Sequence, residues 1–448
     1  MPPMAYARLR HAASPERAGL RVAELTGLTA DIDALPGTWC SGAVVLAGRG
    51  PYVAVEHAAG WAVRYGAYDP ESGLGVELPR EEWVPARTDT VFDLASLTKL
   101  FTAVAVQQQV ERGALELDRP ITDYVTGASG APGAAGAGGP RGPRGALGGR
   151  SRMPRLRVPG RRPPGLRVPE GAVPEHGLTL RHLLTHTSGL RPELPLYDHE
   201  PKTRVARVWA EEPLTAPGDG YRYSDLNLLL AQSVLELVTG QPLDALIREG
   251  ITRPLGMTRT RFRPPRGWRA RTAATEDQRR PWAKLDRGML RGHVHDENAY
   301  ALNGVAGHAG LFSTAGDLAV LCRTLLTGGA YGPARILAPS SVAALLAPPG
   351  LGFAVGQPWF MGELAGGGTE TGGGTGAVTE PGAGTAGERP RGGGRAAGHT
   401  GFTGTSLVLD PVTDTFLVLL ANTVHPVRRA PDSRPRADAA TRLARAVR

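Results

Sequence analysis

Ser96 and Lys99 stand three residues apart in the run FDLASLTKLF. On a helix that spacing puts both side chains on one face. A serine hydroxyl is a weak nucleophile and needs a base beside it. Lysine can be that base when burial or a neighbouring cation draws its pKa down toward neutrality. Arginine cannot, because its guanidinium stays protonated. The chain has only three lysines, Lys99, Lys202 and Lys284, among 51 basic residues, so a lysine kept inside an apolar run points to chemistry rather than to surface charge. A serine at a helix start also gains free N–H groups that can hold an oxyanion. The chemistry these two residues suit is acyl transfer through a covalent serine intermediate.

The pattern around the pair is mixed α/β. SGAVVLAGRGPYVAVEHAAGWAV predicts a hairpin turning at GRGP, and TSLVLDPVTDTFLVLLAN predicts another around DPVTD. From Ser96 the spacing predicts a helix, with Leu97, Leu100, Val104 and Val110 near one face, ending at ERG. TLRHLLTHTSGL reads as a short helix capped by Thr179, and YSDLNLLLAQSVLELVTG as a long one starting near Ser224 or Asp225 and closed by Gly240. STAGDLAVLCRTLLTGG is a further helix with Ser313 at its N-cap, and PRADAATRLARAVR is a terminal one. Strands at both chain ends and helices between them predict an α/β (α+β) fold. Residues 14–126 and 300–448 would form the α/β lobe, and 176–299 a helical lobe inserted in it.

Composition narrows the function. The net charge of +9 raises nucleic acid or membrane as partners, but residues 127–175 hold nine arginines against two glutamates. That segment and 364–396 are rich in Gly and lack apolar periodicity, so both are expected to be disordered surface insertions. Neither carries aromatic side chains for base stacking, so no specific nucleic-acid binding is expected. No stretch approaches the roughly 20 apolar residues of a membrane span. The N-terminus lacks an apolar leader, so a cytoplasmic location is expected. Cys40 and Cys322 lie in apolar surroundings and read as buried free thiols. HVHDENA gathers His293, His295, Asp296 and Glu297, yet lacks the further spaced ligands of a zinc site, so it reads as a loop and no metal or cofactor is expected. His186 and His308, in Gly-containing turns, read as hydrogen-bonded structural histidines.

The order Ser-x-x-Lys, LTLRHLLTHTSGL, YSD (223–225), GVAGHAGLFST and HTG (399–401) before a hairpin resembles the serine β-lactamase-related hydrolases. That family includes class C-type β-lactamases, D-alanyl-D-alanine peptidases, D-aminopeptidases and esterases. The resemblance implies an antiparallel sheet flanked by helices. It implies Ser96 as the acylated nucleophile, Lys99 as its base, and Tyr223 as a partner in proton transfer, with Tyr221 a weaker alternative. It implies an oxyanion hole from the N–H groups of Ser96 and Phe402, and a cleft lined by Asp225, His399, Thr400 and Gly401, with the third motif on an edge strand. Two departures stand out: Asp225 where β-lactamases more usually have Asn, and His399 where β-lactamases and peptidases have Lys. A mostly neutral histidine and an added carboxylate disfavour substrates that carry a carboxylate. The reading is therefore a serine hydrolase of small esters or amides, esterase-like or D-amino-acid peptidase-like. The alternative is a β-lactamase or a penicillin-binding sensor with little turnover.

Overall fold

The computed structural model describes residues 8–125, 176–366 and 396–448. Its main strands, in chain order, are β1 (Arg10–His11), β2 (Gly42–Arg49), β3 (Tyr52–Val63), β4 (Ala354–Val355), β5 (Ala397–Thr400), β6 (Ser406–Asp410) and β7 (Thr415–Ala421). They form one sheet in the spatial order β1-β3-β2-β7-β6-β5-β4, with Val84–Pro85 paired to β3. Only β1 runs parallel to its neighbour. Both expected hairpins are there, and Leu46 pairs with Val418 where the two chain ends meet.

The strands read as unbroken apolar runs because both faces of the sheet are covered. Successive side chains point to opposite faces. Ala43, Val45, Ala47, Leu417 and Leu419 therefore pack with α1 (Val22–Asp33) and the terminal helix. Val44, Leu46, Val418 and Leu420 belong to the core shared with α2 (Thr98–Glu111), α3 (Asp225–Thr239) and α4 (Ala315–Leu326). The terminal helix, α5, spans Arg434–Ala446.

Three expectations change. α2 is not one-faced: every residue from Thr98 to Gln109 is buried, because the helix runs through the centre of the molecule. The cap of α4 is Thr314, whose Oγ1 accepts from the Asp317 N–H, whereas Ser313 sits in a short strand. The stretch 176–299 is not helical throughout, since Ala274–Gln278 and Gly288–Arg291 pair as antiparallel strands. It also shares one continuous core with the sheet, from Val44 through Phe101 to Leu235. Residues 127–175 lie outside the described residues, as does most of 364–396. At the ends of the latter, Leu364, Ala365 and Ala396 are buried, so the segment expected to be an insertion is shorter on both sides. Cys40 and Cys322 are buried and free. Among the described residues no helix is long and apolar enough to cross a membrane.

Candidate active site

Ser96 follows the two-residue strand Phe92–Asp93, which pairs with Leu311–Ser313, and sits in a single 3-10 turn, Ala95–Leu97, that leads into α2. The turn is tight. Ala95 adopts φ +45, a left-handed conformation that costs a residue with a side chain on the order of 1 kcal/mol or more. One helical turn on, Lys99 is fully buried and its Nζ donates to Ser96 Oγ at 2.7 Å.

Tyr223 and Asp225 arrive from the start of α3. Ser224 holds the N-cap position, but its Oγ donates to the Arg191 carbonyl at 2.6 Å instead of capping the helix. The Ser224 N–H and Asn227 Nδ2 both lie within hydrogen-bond reach of His186 Nδ1, at 3.2 and 3.0 Å. The His186 ring then lies against Tyr223 at 4.6 Å, and Lys99 Nζ is 4.7 Å from the Tyr223 ring centroid. Tyr221 lies edge-on to the same histidine. Asp225 Oδ1 is 2.8 Å from the buried Lys99 Nζ, a close ion pair.

The electrostatics revise one expectation. Burial alone would lower the Lys99 pKa, as anticipated from the sequence. The Asp225 carboxylate and Tyr223 outweigh it, and Lys99 is raised above its ordinary value. It rests as an ammonium. Tyr223 is raised mainly by burial, with Lys99 opposing. His399 is pushed down to about 4, chiefly by burial and then by Lys99. It is therefore neutral near pH 7, and since Nδ1 meets the Thr400 carbonyl at 2.6 Å, Nε2 is left as an acceptor. Its ring is 6.0 Å from that of Tyr223. The strand is an edge only in part: β4 covers Ala397 and Gly398, and His399 and Thr400 extend past it.

Gly401 explains itself sterically. A Cβ there would come within 2.4 Å of the Leu94 carbonyl and 2.1 Å of Thr405 Oγ1. The turn after β5 thus lies directly on the nucleophile turn, pinned by Thr403 Oγ1 donating to Asp93 O at 2.7 Å and Thr405 Oγ1 to Leu94 O at 3.0 Å. Neither the Ser96 N–H nor the Phe402 N–H has a hydrogen-bond partner among the described residues. The Ser96 hydroxyl thus has the Lys99 ammonium and the Tyr223 phenol as neighbours, groups that acyl transfer can use.

The HVHDE residues diverge. His293 is exposed. His295 Nε2 meets Glu276 at 2.8 Å, and Glu297 pairs with Arg428. Asp296 caps the short helix Glu297–Ala301 and pairs with His308 at 2.9 Å. Asp225, Asp296 and His308 do offer ligand atoms within 4.8 Å of one another, but Lys99 and the His308–Asp296 pair already meet those charges. Sequence reasoning placed none of Asp93, Glu276, His308 and Arg428 at the site. Asp93 lay inside the quoted nucleophile run and carried a signal, a carboxylate in an apolar stretch, as His308 did inside GVAGHAGLFST.

The family to which the sequence belongs makes this chain a serine hydrolase. The profile of the Beta-lactamase family matches residues 28–441, so the chain belongs to that family. A protein of Escherichia coli (strain K12) with the provisional name D-alanyl-D-alanine carboxypeptidase is 30% identical over 375 residues, covering 79% of this chain and 74% of its own. The crystal structure of a penicillin-binding protein homolog from Caulobacter crescentus superposes with a TM-score of 0.61 at 20% identity, covering 95% of this chain and 97% of its own. EstCE1, described as a hydrolase with promiscuous acyltransferase activity, does so with a TM-score of 0.58 at 19% identity, covering 94% and 98%.

Proposed function

We propose that this serine hydrolase cleaves small esters or amides through an acyl-enzyme on Ser96. The observation that carries the reading is the 2.7 Å contact of Ser96 Oγ with a fully buried Lys99 beside two unengaged N–H groups. Ser96 Oγ attacks the carbonyl carbon, and the Ser96 and Phe402 N–H groups take the developing oxyanion. The serine proton passes to the Lys99–Tyr223 pair and from there to the leaving group, and water then releases the acid. Because Lys99 and Tyr223 both hold their protons more tightly than usual, the reactive form is the minor one that has lost a proton. Acylation should therefore rise with pH through the neutral range.

His399, Thr400, Gly401 and Asp225 border the acyl site in this reading. His399 brings no charge to a substrate carboxylate near neutral pH. Asp225 repels an anion less than its type suggests, because Lys99 pairs with it. Neutral esters fit this charge pattern best. D-amino-acid amides and peptides are the second reading, favoured by the provisional name of the Escherichia coli relative. The test is mass spectrometry after exposure to short esters, D-alanyl amides and β-lactams. We expect an adduct on Ser96 with the fastest turnover on esters. No adduct on Ser96 with any of the three removes the mechanism, and faster turnover of β-lactams than esters removes the substrate reading.

A further inference from the structure

Asp93 carries a buried carboxylate, 2% exposed, and no lysine or arginine pairs with it among the described residues. It directs every acceptor it has toward the two halves of the oxyanion site. Oδ1 accepts from the Ala95 N–H at 2.9 Å, holding the strained residue that immediately precedes Ser96. Oδ2 accepts from the His295 N–H at 2.6 Å, and the His295 ring stacks on the Phe402 ring at 5.7 Å and 28°. The backbone carbonyl accepts from Thr403 Oγ1 at 2.7 Å, beside Phe402 in sequence.

We propose that Asp93 is the positioning residue that fixes the Ser96 and Phe402 N–H groups relative to one another. The proposal rests on the acyl-enzyme reading above. The geometry also says why the residue is Asp and not Asn. Both side-chain oxygens face N–H donors, so an amide would turn its NH2 group toward one of them and leave donor against donor. A residue that merely filled space could be either. Thr403 is the counterpart on the other side, and its hydroxyl, not its methyl group, makes the link.

The test compares wild type, Asp93→Asn, Thr403→Val and Thr403→Ser with one activated ester, measuring single-turnover acylation of Ser96, KM and melting temperature. A phenylboronic acid serves as a tetrahedral mimic. Losing an oxyanion donor outright lowers rates by about a hundredfold to a thousandfold, so misplacing one should cost about tenfold to a hundredfold in acylation. We expect that loss in Asp93→Asn with KM within about threefold of wild type and boronate affinity falling in parallel. Thr403→Val should fall about tenfold, and Thr403→Ser should recover. If Asp93→Asn does not fold, the Thr403 pair decides. Acylation within threefold of wild type in a folded Asp93→Asn or in Thr403→Val, or no recovery in Thr403→Ser, overturns the proposal. A wild type that forms no Ser96 adduct overturns the acyl-enzyme reading instead, so the two failures are distinct.

Discussion

Two polar clusters, one around Glu276 and one around Lys99, are finished to different degrees. In the first, Glu276 is buried completely and every contact is met. Its Oε1 accepts from Arg428 Nε at 2.7 Å, and its Oε2 from Arg428 Nη2 at 2.6 Å and Gln278 Nε2 at 3.1 Å, with His295 beside them. Burial pushes its pKa up, but His295 and Arg428 hold it at about 2. In the second, Ala95 is strained, and the Ser96 and Phe402 N–H groups have no partner among the described residues. A satisfied buried network rigidifies a fold, whereas one with spare donors and stored strain is where a substrate can supply what is missing.

The comparison breaks most sharply at Ser96. Ser96→Ala should abolish ester turnover, a loss of at least about a thousandfold, with the melting temperature unchanged. Activity within tenfold of wild type would mean that the cluster with spare donors is not the site of reaction. Lys99→Arg comes next. It keeps a charge but cannot give one up near neutral pH, so acylation should fall about a hundredfold or more. Lys202→Arg and Lys284→Arg should match wild type. Equal rates for all three would leave the mechanism without its base.

Arg428→Met tests the other side. It strands Glu276 and Glu297 with less compensation, which for a buried pair costs about 3 kcal/mol or more of stability. Urea unfolding should show that loss, while acylation per folded molecule, measured well below the new midpoint, stays within a few fold of wild type. A collapse in rate without a loss of stability would reverse the roles assigned to the two clusters.

Much of this was legible in the sequence, for local reasons. A hairpin announces itself through apolar runs around GRGP or DPVTD, and a rare lysine one turn after a serine marks its own neighbourhood. The misreadings came from partners distant in sequence. The Lys99 pKa was expected to fall because burial is a local property of an apolar run; the Asp225 that reverses it is supplied by another helix. The spacing put Leu97, Leu100, Val104 and Val110 near one face of α2, yet its polar Gln108 is buried too and its Nε2 bonds the carbonyls of Gly250 and Ile336. HVHDE was read as a loop and not a metal site, and alternate residues of it face different partners. The choice between Ser313 and Thr314 as cap could not be made from residue type, since both hydroxyls qualify.

The finest test separates position from charge within the reactive cluster. Asp225→Asn keeps the shape and most of the packing but removes the anion that holds the Lys99 proton. The sign follows directly. With Asp225 charged, the Lys99 pKa is raised and the proton-deficient form is scarce at pH 7. Without that charge the burial effect is less opposed, the Lys99 pKa falls, and the reactive form becomes commoner at a given pH. The acid limb of acylation should therefore move to lower pH by at least about one unit, the scale of a single opposite charge at this distance. Because the raised Lys99 pKa lies above this range, that is about a tenfold gain in rate at each pH from 5.5 to 9.5. The measurement is single-turnover acylation from pH 5.5 to 9.5 for both proteins. A rate lowered equally at every pH, with the limb unmoved, would make Asp225 a clamp for Lys99 and not the source of its charge state.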